Sequence, residues 1–163
     1  MGGPQSLRPE DTYREVVLIH DERARKAHQE LFSFDESRYV LSTGSMVASF
    51  QALADQGISR IHIAADWEHI LMIAFWTDAK PGIFDVLSLL RKSGARETEL
   101  HPFKSSDIND LFPWLYYGKK FDILRRVCSA AKQRAEAGSG GGQVHVICHL
   151  VADDTCRIAA SSL

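Results

Sequence analysis

Between Ile58 and Gly94 the chain reads ISRIHIAADWEHILMIAFWTDAKPGIFDVLSLLRKSG, its densest apolar sequence, bracketed by two clear interruptions. Ile61, Ile63 and Ala65 alternate with Arg60, His62 and Ala64, the period of a strand with one face buried. The run Ile70 to Trp76 is apolar throughout and short, which predicts a second, central strand covered on both faces. Only Asp66-Trp67-Glu68 separates the two, so the expected pairing is antiparallel. Beyond Pro81-Gly82, the residues Ile83, Val86, Leu87 and Leu90 recur at helical spacing, with Arg91 and Lys92 in the last turn and Gly94 as the stop.

The flanking sequence extends this pattern. Tyr13 to His20 and Arg38 to Ser42 read as strands. Each precedes a helix, opened at Asp21 and at Thr43-Gly44-Ser45 respectively. Glu97 to Phe103 predicts another strand, and Pro102 confines it to an edge. The segment SSDINDLFPWLYYG is helical with a break at Pro113, and a long helix follows over about Phe121 to Ala137. Val144 to Val151 and Cys156 to Ala160 then form a closing hairpin, which is unstable alone and must join a larger sheet. The order is β-α-β-α-β-β-α-β-α-α-β-β. It predicts an α/β or α+β fold with a mixed sheet of about six or seven strands.

At 163 residues the chain suits one domain, taken to span 12–163 with a mobile Gly-rich loop at 138–142, after a disordered segment at 1–11. The formal charge of -2 argues against a nucleic-acid protein. No apolar run is long enough to span a bilayer, and the polar first residues do not resemble a secretory signal, so a cytoplasmic protein is expected. Cys128, Cys148 and Cys156 are widely spaced and read as reduced thiols.

Four groups of residues are candidates for function. Asp21, Glu22, Thr43, Gly44, Ser45 and Asp66 follow strands, where an open α/β sheet binds ligands, and Asp21, Ser45 and Asp66 converge if their strands are adjacent and parallel. No Gly-rich phosphate fingerprint accompanies them. His145 and His149 share one face of a strand, near Asp153, Asp154 and Cys156, but lack the spacing of a known zinc motif. Cys148 beside His149 is no nucleophilic dyad, because neighbours on a strand face opposite ways. Phe112, Trp114, Tyr116 and Tyr117 place four aromatics within six positions of a proline-broken helix, a composition found at interaction hot spots.

Over residues 14 to 103, the acidic pair Asp21-Glu22 after an apolar strand and His101-Pro102-Phe103 resemble motifs of response-regulator receiver domains. His101 stands where that family has lysine, and the expected central hairpin is foreign to its alternating order. The reading favoured is therefore a non-catalytic protein-protein interaction module or assembly subunit, a homodimer or partner-bound, using Phe112, Trp114, Tyr116 and Tyr117. It assigns no cofactor and no metal. The rival is a small enzyme, or a phosphate-ligand or divalent-metal binder, built on the acidic residues at the carboxyl ends of strands.

Overall fold

A computed structural model describes residues 15–140 and 143–163. The elements in chain order are β1 (Glu15–Ile19), α1 (Glu22–Phe32), β2 (Tyr39–Leu41), α2 (Met46–Asp55), β3 (Arg60–Ala65), α3 (Trp67–Phe75) and α4 (Ile83–Lys92). They continue with α5 (Glu97–Leu100), α6 (Leu111–Tyr117), α7 (Phe121–Gly138), β4 (His145–Ala152) and β5 (Arg157–Ser161). The expected disordered segment 1–11 lies outside the described residues, as do Gly141 and Gly142 of the Gly-rich stretch; Gly138 ends α7.

The fold is α/β, with one five-stranded sheet in the order β2-β1-β3-β4-β5. β1, β2, β3 and β4 run parallel, and β5 closes the sheet as an antiparallel partner of β4. The expected six or seven strands are thus five among the described residues, and both losses have a physical reason. Ile70 to Trp76 is not a strand but most of α3, whose Trp67, Ile70, Leu71, Met72 and Ile73 are buried. A helix enclosed on nearly every side is apolar on nearly every side, so its sequence lacks the helical period and imitates a central strand. Glu97 to Phe103 forms α5 and a 3-10 turn, and the start of α5 is held by Arg96 N–H donating to the Glu99 carboxylate at 3.1 Å. That turn places His101-Pro102-Phe103 outside any strand. Pro113 sits in the first turn of α6, where it has no hydrogen bond to break, so it starts that helix rather than splitting it.

The crossovers distribute helices unequally over the two faces. On one face Ala24 and Ala27 of α1 pack on Val17, Ile19, Ala64 and Val151. The small alanines allow a close approach of helix to sheet. The other face carries the main core, in which Phe50 of α2, Ile70 and Leu71 of α3, Leu87 and Leu90 of α4, and Leu124 and Val127 of α7 meet Ile61, Ile63, Val146 and Cys148. From β1 the chain moves to β2 on one side, then returns to β3 on the other. The carboxyl ends of β1 and β3 therefore flank a topological switch point, where two connections leave in opposite directions and open a crevice.

Candidate metal centre at the carboxyl ends of the strands

The residues at that crevice are the ones immediately following three parallel strands: His20 and Asp21 after β1, Asp66 after β3 and Asp153 after β4. Asp21 caps α1, accepting from Ala24 N–H at 3.1 Å. Asp66 caps α3, accepting from His69 N–H at 3.0 Å. Both are sound helix starts in local terms. Parallel pairing of β1 with β3, and of β3 with β4, brings them to one place.

His20 is the centre of the group. Its side chain is 5% exposed, and its Nε2 lies 3.3 Å from Asp21 Oδ2, 3.5 Å from Asp66 Oδ2 and 3.7 Å from Asp153 Oδ1. Neither ring nitrogen of His20 has a hydrogen-bond partner, and Asp153 Oδ1 is likewise buried and unsatisfied. Buried polar atoms without partners are rare because each forfeits the full cost of its desolvation. Two ligands held by one tetrahedral cation at about 2.0–2.1 Å lie about 3.3–3.4 Å apart, close to the spacing between His20 and its acidic neighbours. His20, Asp66 and His69 form one set able to hold a metal ion, and His20, Asp21 and Asp153 form another.

The surroundings assign different roles to these groups. Asp21 Oδ2 is already committed to Arg23, which donates from Nε at 3.0 Å and Nη2 at 2.9 Å. Burial works against the Asp21 charge, but Arg23 and the Ala24 N–H hold its carboxyl below the usual range. Asp66 is pushed up by burial yet held at about 2 by the His69 hydrogen bond and by His20. His69 Nδ1 donates to Asp66 Oδ1 at 2.6 Å, which raises the His69 pKa against its burial. Its ring also stacks on His20, with centroids 5.0 Å apart. Asp153 is raised, first by burial and then by the charge of Asp66. Two carboxylates crowd one buried imidazole, and a cation between them would satisfy all three.

A cleft of about 290 Å³ opens beside the cluster, lined by Asp66, Trp67, Phe112, Tyr117, Val151 and Asp153 among others. Trp67 is fixed there by its Nε1–H, which donates to the Ile108 carbonyl at 2.9 Å. The remaining residues predicted from sequence lie elsewhere. Ser45 caps α2 and donates to the Asp78 carboxylate, Glu22 accepts from Arg25 on the surface of α1, and Thr43 and Gly44 are exposed. Of Asp21, Ser45 and Asp66, the structure brings together the first and the last. His20, His69 and Arg23 were missed, and Asp153, considered from sequence beside His145 and His149, instead faces His20. An Asp-x-x-His at a helix start was legible at Asp66 and His69, but only once that stretch is read as helical.

The aromatic segment packs largely inward. Leu111 and Leu115 of α6 are buried in the main core, and Phe112, Trp114 and Tyr116 pack against it. Phe112 lies 6.0 Å from Trp67 and 5.3 Å from Tyr116 between ring centroids. Phe112 and Tyr117 form the wall of the cleft, and Tyr117, which is 63% exposed, donates to Asp154 on the same rim. The reading as a non-catalytic interaction module is corrected on that ground: the rings it relied on serve the core and a cleft containing an unsatisfied polar cluster.

No protein-family model matches the chain, and no curated protein matches it. Among solved structures it aligns with the crystal structure of β-carbonic anhydrase isoform I from the protozoan Trichomonas vaginalis, over 90% of this chain and 81% of that one, at 12% sequence identity and a TM-score of 0.42. Among the described residues of this chain, no helix is long and apolar enough to cross a membrane.

Proposed function

We propose that this chain is a divalent-metal-dependent enzyme acting on a small substrate, with the cation held by His20 and the aspartates around it, Asp66 and Asp153 among them. The observation that carries the reading is His20, whose buried Nε2 faces carboxylate oxygens at 3.3 to 3.7 Å without a hydrogen bond to any of them. One imidazole with carboxylates suits a zinc- or manganese-class ion. When bound, such an ion supplies Lewis acidity, polarising a substrate oxygen or acidifying a water. His69 orients the Asp66 carboxylate, as outer-sphere partners of metal ligands do. Arg23, half exposed and 4.0 Å from Asp153, sets a guanidinium at the rim, suited to an anionic substrate or product. The cleft beside the cluster is at the small end of ligand pockets, and its walls of Trp67, Phe112 and Val151 exclude water from one side.

Metal-stripped protein titrated calorimetrically with zinc and with manganese tests this. The expected result is one ion lost in His20→Ala and in Asp153→Asn relative to the unaltered chain, with circular dichroism confirming the fold. Ester hydrolysis and carbon dioxide hydration, both attacks on small carbonyl compounds, form the first activity screen. Equal metal stoichiometry in all three proteins rules the reading out.

A further inference from the structure

A second constellation lies on the α1 face of the sheet, away from the strand ends. His28 of α1, His62 of β3 and His149 of β4 are 0%, 2% and 0% exposed. Sheet register builds the group, since His62 pairs with Val17 and His149 with Ala64, which sets the two histidines on the face that α1 covers. Their inner nitrogens converge. His28 Nε2 lies 3.0 Å from His62 Nδ1, and His62 Nδ1 lies 2.9 Å from His149 Nε2. Each outer nitrogen meets an oxygen: His28 Nδ1 and Tyr39 Oη at 2.6 Å, His62 Nε2 and Glu15 Oε2 at 2.8 Å, His149 Nδ1 and Ser161 Oγ at 2.6 Å.

Hydrogen bonding alone accounts poorly for this arrangement. Glu15 as a carboxylate only accepts, so His62 carries its proton on Nε2 and presents a bare lone pair at Nδ1. Two other imidazole nitrogens approach that single lone pair. One in-line donor satisfies it; the second is either a surplus donor or a lone pair facing a lone pair. A cation resolves the conflict, because all three inner lone pairs can then point at it while all three outer N–H groups donate to Glu15, Tyr39 and Ser161. A metal-bound histidine usually donates its far ring N–H to an oxygen in this way, which fixes its tautomer and ring orientation. Nitrogens on one tetrahedral ion at about 2.0–2.1 Å lie about 3.3 Å apart, so the rings need to spread by only a few tenths of an ångström.

We infer that His28, His62 and His149 form a three-imidazole binding site for a first-row transition-metal ion of the zinc class, separate from the cluster at the strand ends. Three neutral nitrogens and no carboxylate in the inner set select against magnesium and calcium. The rings of Phe32 and Phe34 enclose the site, with Phe32 stacked on His28 at 4.4 Å and Phe34 edge-on to His62 at 5.4 Å. Glu15 and Phe34 also line a pocket of about 520 Å³.

The test uses the full chain carrying His20→Ala and Asp153→Asn, which removes the strand-end site, stripped with a chelator and checked for folding by circular dichroism. Zinc is added while ring nitrogens are followed by long-range ¹H–¹⁵N NMR, and cobalt(II) is added in parallel and read by its visible absorption. The expected result is one equivalent of bound metal, with the inner nitrogens of His28, His62 and His149 shifting together. Glu15→Gln, at a partly exposed outer position, should weaken zinc about 10–100-fold without unfolding the protein. Unchanged ring nitrogens at stoichiometric zinc overturn the inference and leave a metal-free hydrogen-bonded cluster. Because the strand-end ligands are absent from this variant, that failure leaves the proposed function standing, to be judged on the unaltered chain.

Discussion

His69 Nδ1 lies 2.6 Å from Asp66 Oδ1, the same oxygen that accepts from the His69 N–H at 3.0 Å to start α3. One carboxylate oxygen is thus fully used by the first turn of a helix, which leaves Oδ2 aimed at His20, 3.5 Å away. Helix capping and ligand presentation are therefore a single geometric act, and substitutions can separate them. Asp66→Asn retains a capping side chain, and Asp66→Ala does not. Chemical denaturation should show Asp66→Ala less stable than Asp66→Asn by about 0.5–2 kcal/mol. Both should lose the strand-end metal, so a variant as stable as Asp66→Asn with metal retained would contradict the role given to Oδ2.

His69→Gln removes the orienting ring while leaving His20, Asp66 and Asp153 in place. Metal affinity at the strand ends should fall about 10–100-fold by titration, the usual cost of losing an outer-sphere partner. An unchanged affinity would mean that His69 is only a surface neighbour.

Glu136 ties the end of α7 to the start of β4 by accepting from Val146 N–H at 2.9 Å and from Lys132 at 2.7 Å. Burial opposes its charge, but these donors keep its carboxyl below the ordinary glutamate range. A carboxyl depressed in the folded state binds more protons when unfolded. Its contribution is therefore complete above about pH 4.5 and is lost as pH falls through the lower folded value. Glu136→Gln should cost about 0.5–1.5 kcal/mol near pH 7, and the difference from the parent should shrink in acid. Urea melts at pH 7 and pH 4 measure both effects.

Gly138 ends α7 against the Trp76 ring, where an added Cβ would come within 2.3 Å of the indole. Alanine is the better helix former, yet Gly138→Ala should destabilise the protein by about 1–3 kcal/mol through overpacking. Trp76→Leu in the same chain should recover part of that loss. Additive costs in the double variant, measured by thermal melts, would show that the two positions do not touch.

Cys128 and Cys148 are buried, and burial raises both thiols, Cys128 to about 12. Cys156 is partly exposed. A disulfide-exchange reagent at pH 8 should therefore label Cys156 rapidly, with the other two reacting only after unfolding. Early labelling of Cys148, beside His149, would reverse the reading that excludes it as a nucleophile.

The alternation of β1, α1, β2, α2 and β3, the caps at Asp21 and Ser45, the amphipathic α4 and α7, and the C-terminal hairpin were all legible in the chain, because each depends on contacts within a few residues. Local sequence determined these, and hence the α/β class. The tertiary structure decided the rest. Ile70 to Trp76 is helix or strand according to what surrounds it, since burial on every side erases the period that separates the two. His20 and Asp153 are separated by most of the chain and meet only because β3 lies between β1 and β4. His28, His62 and His149 carry no spacing motif, for their convergence depends on strand register and on the close seating of α1 over Ala64. Side chains brought together by pairing between distant strands leave no trace in the order of residues, because register is a property of the folded sheet.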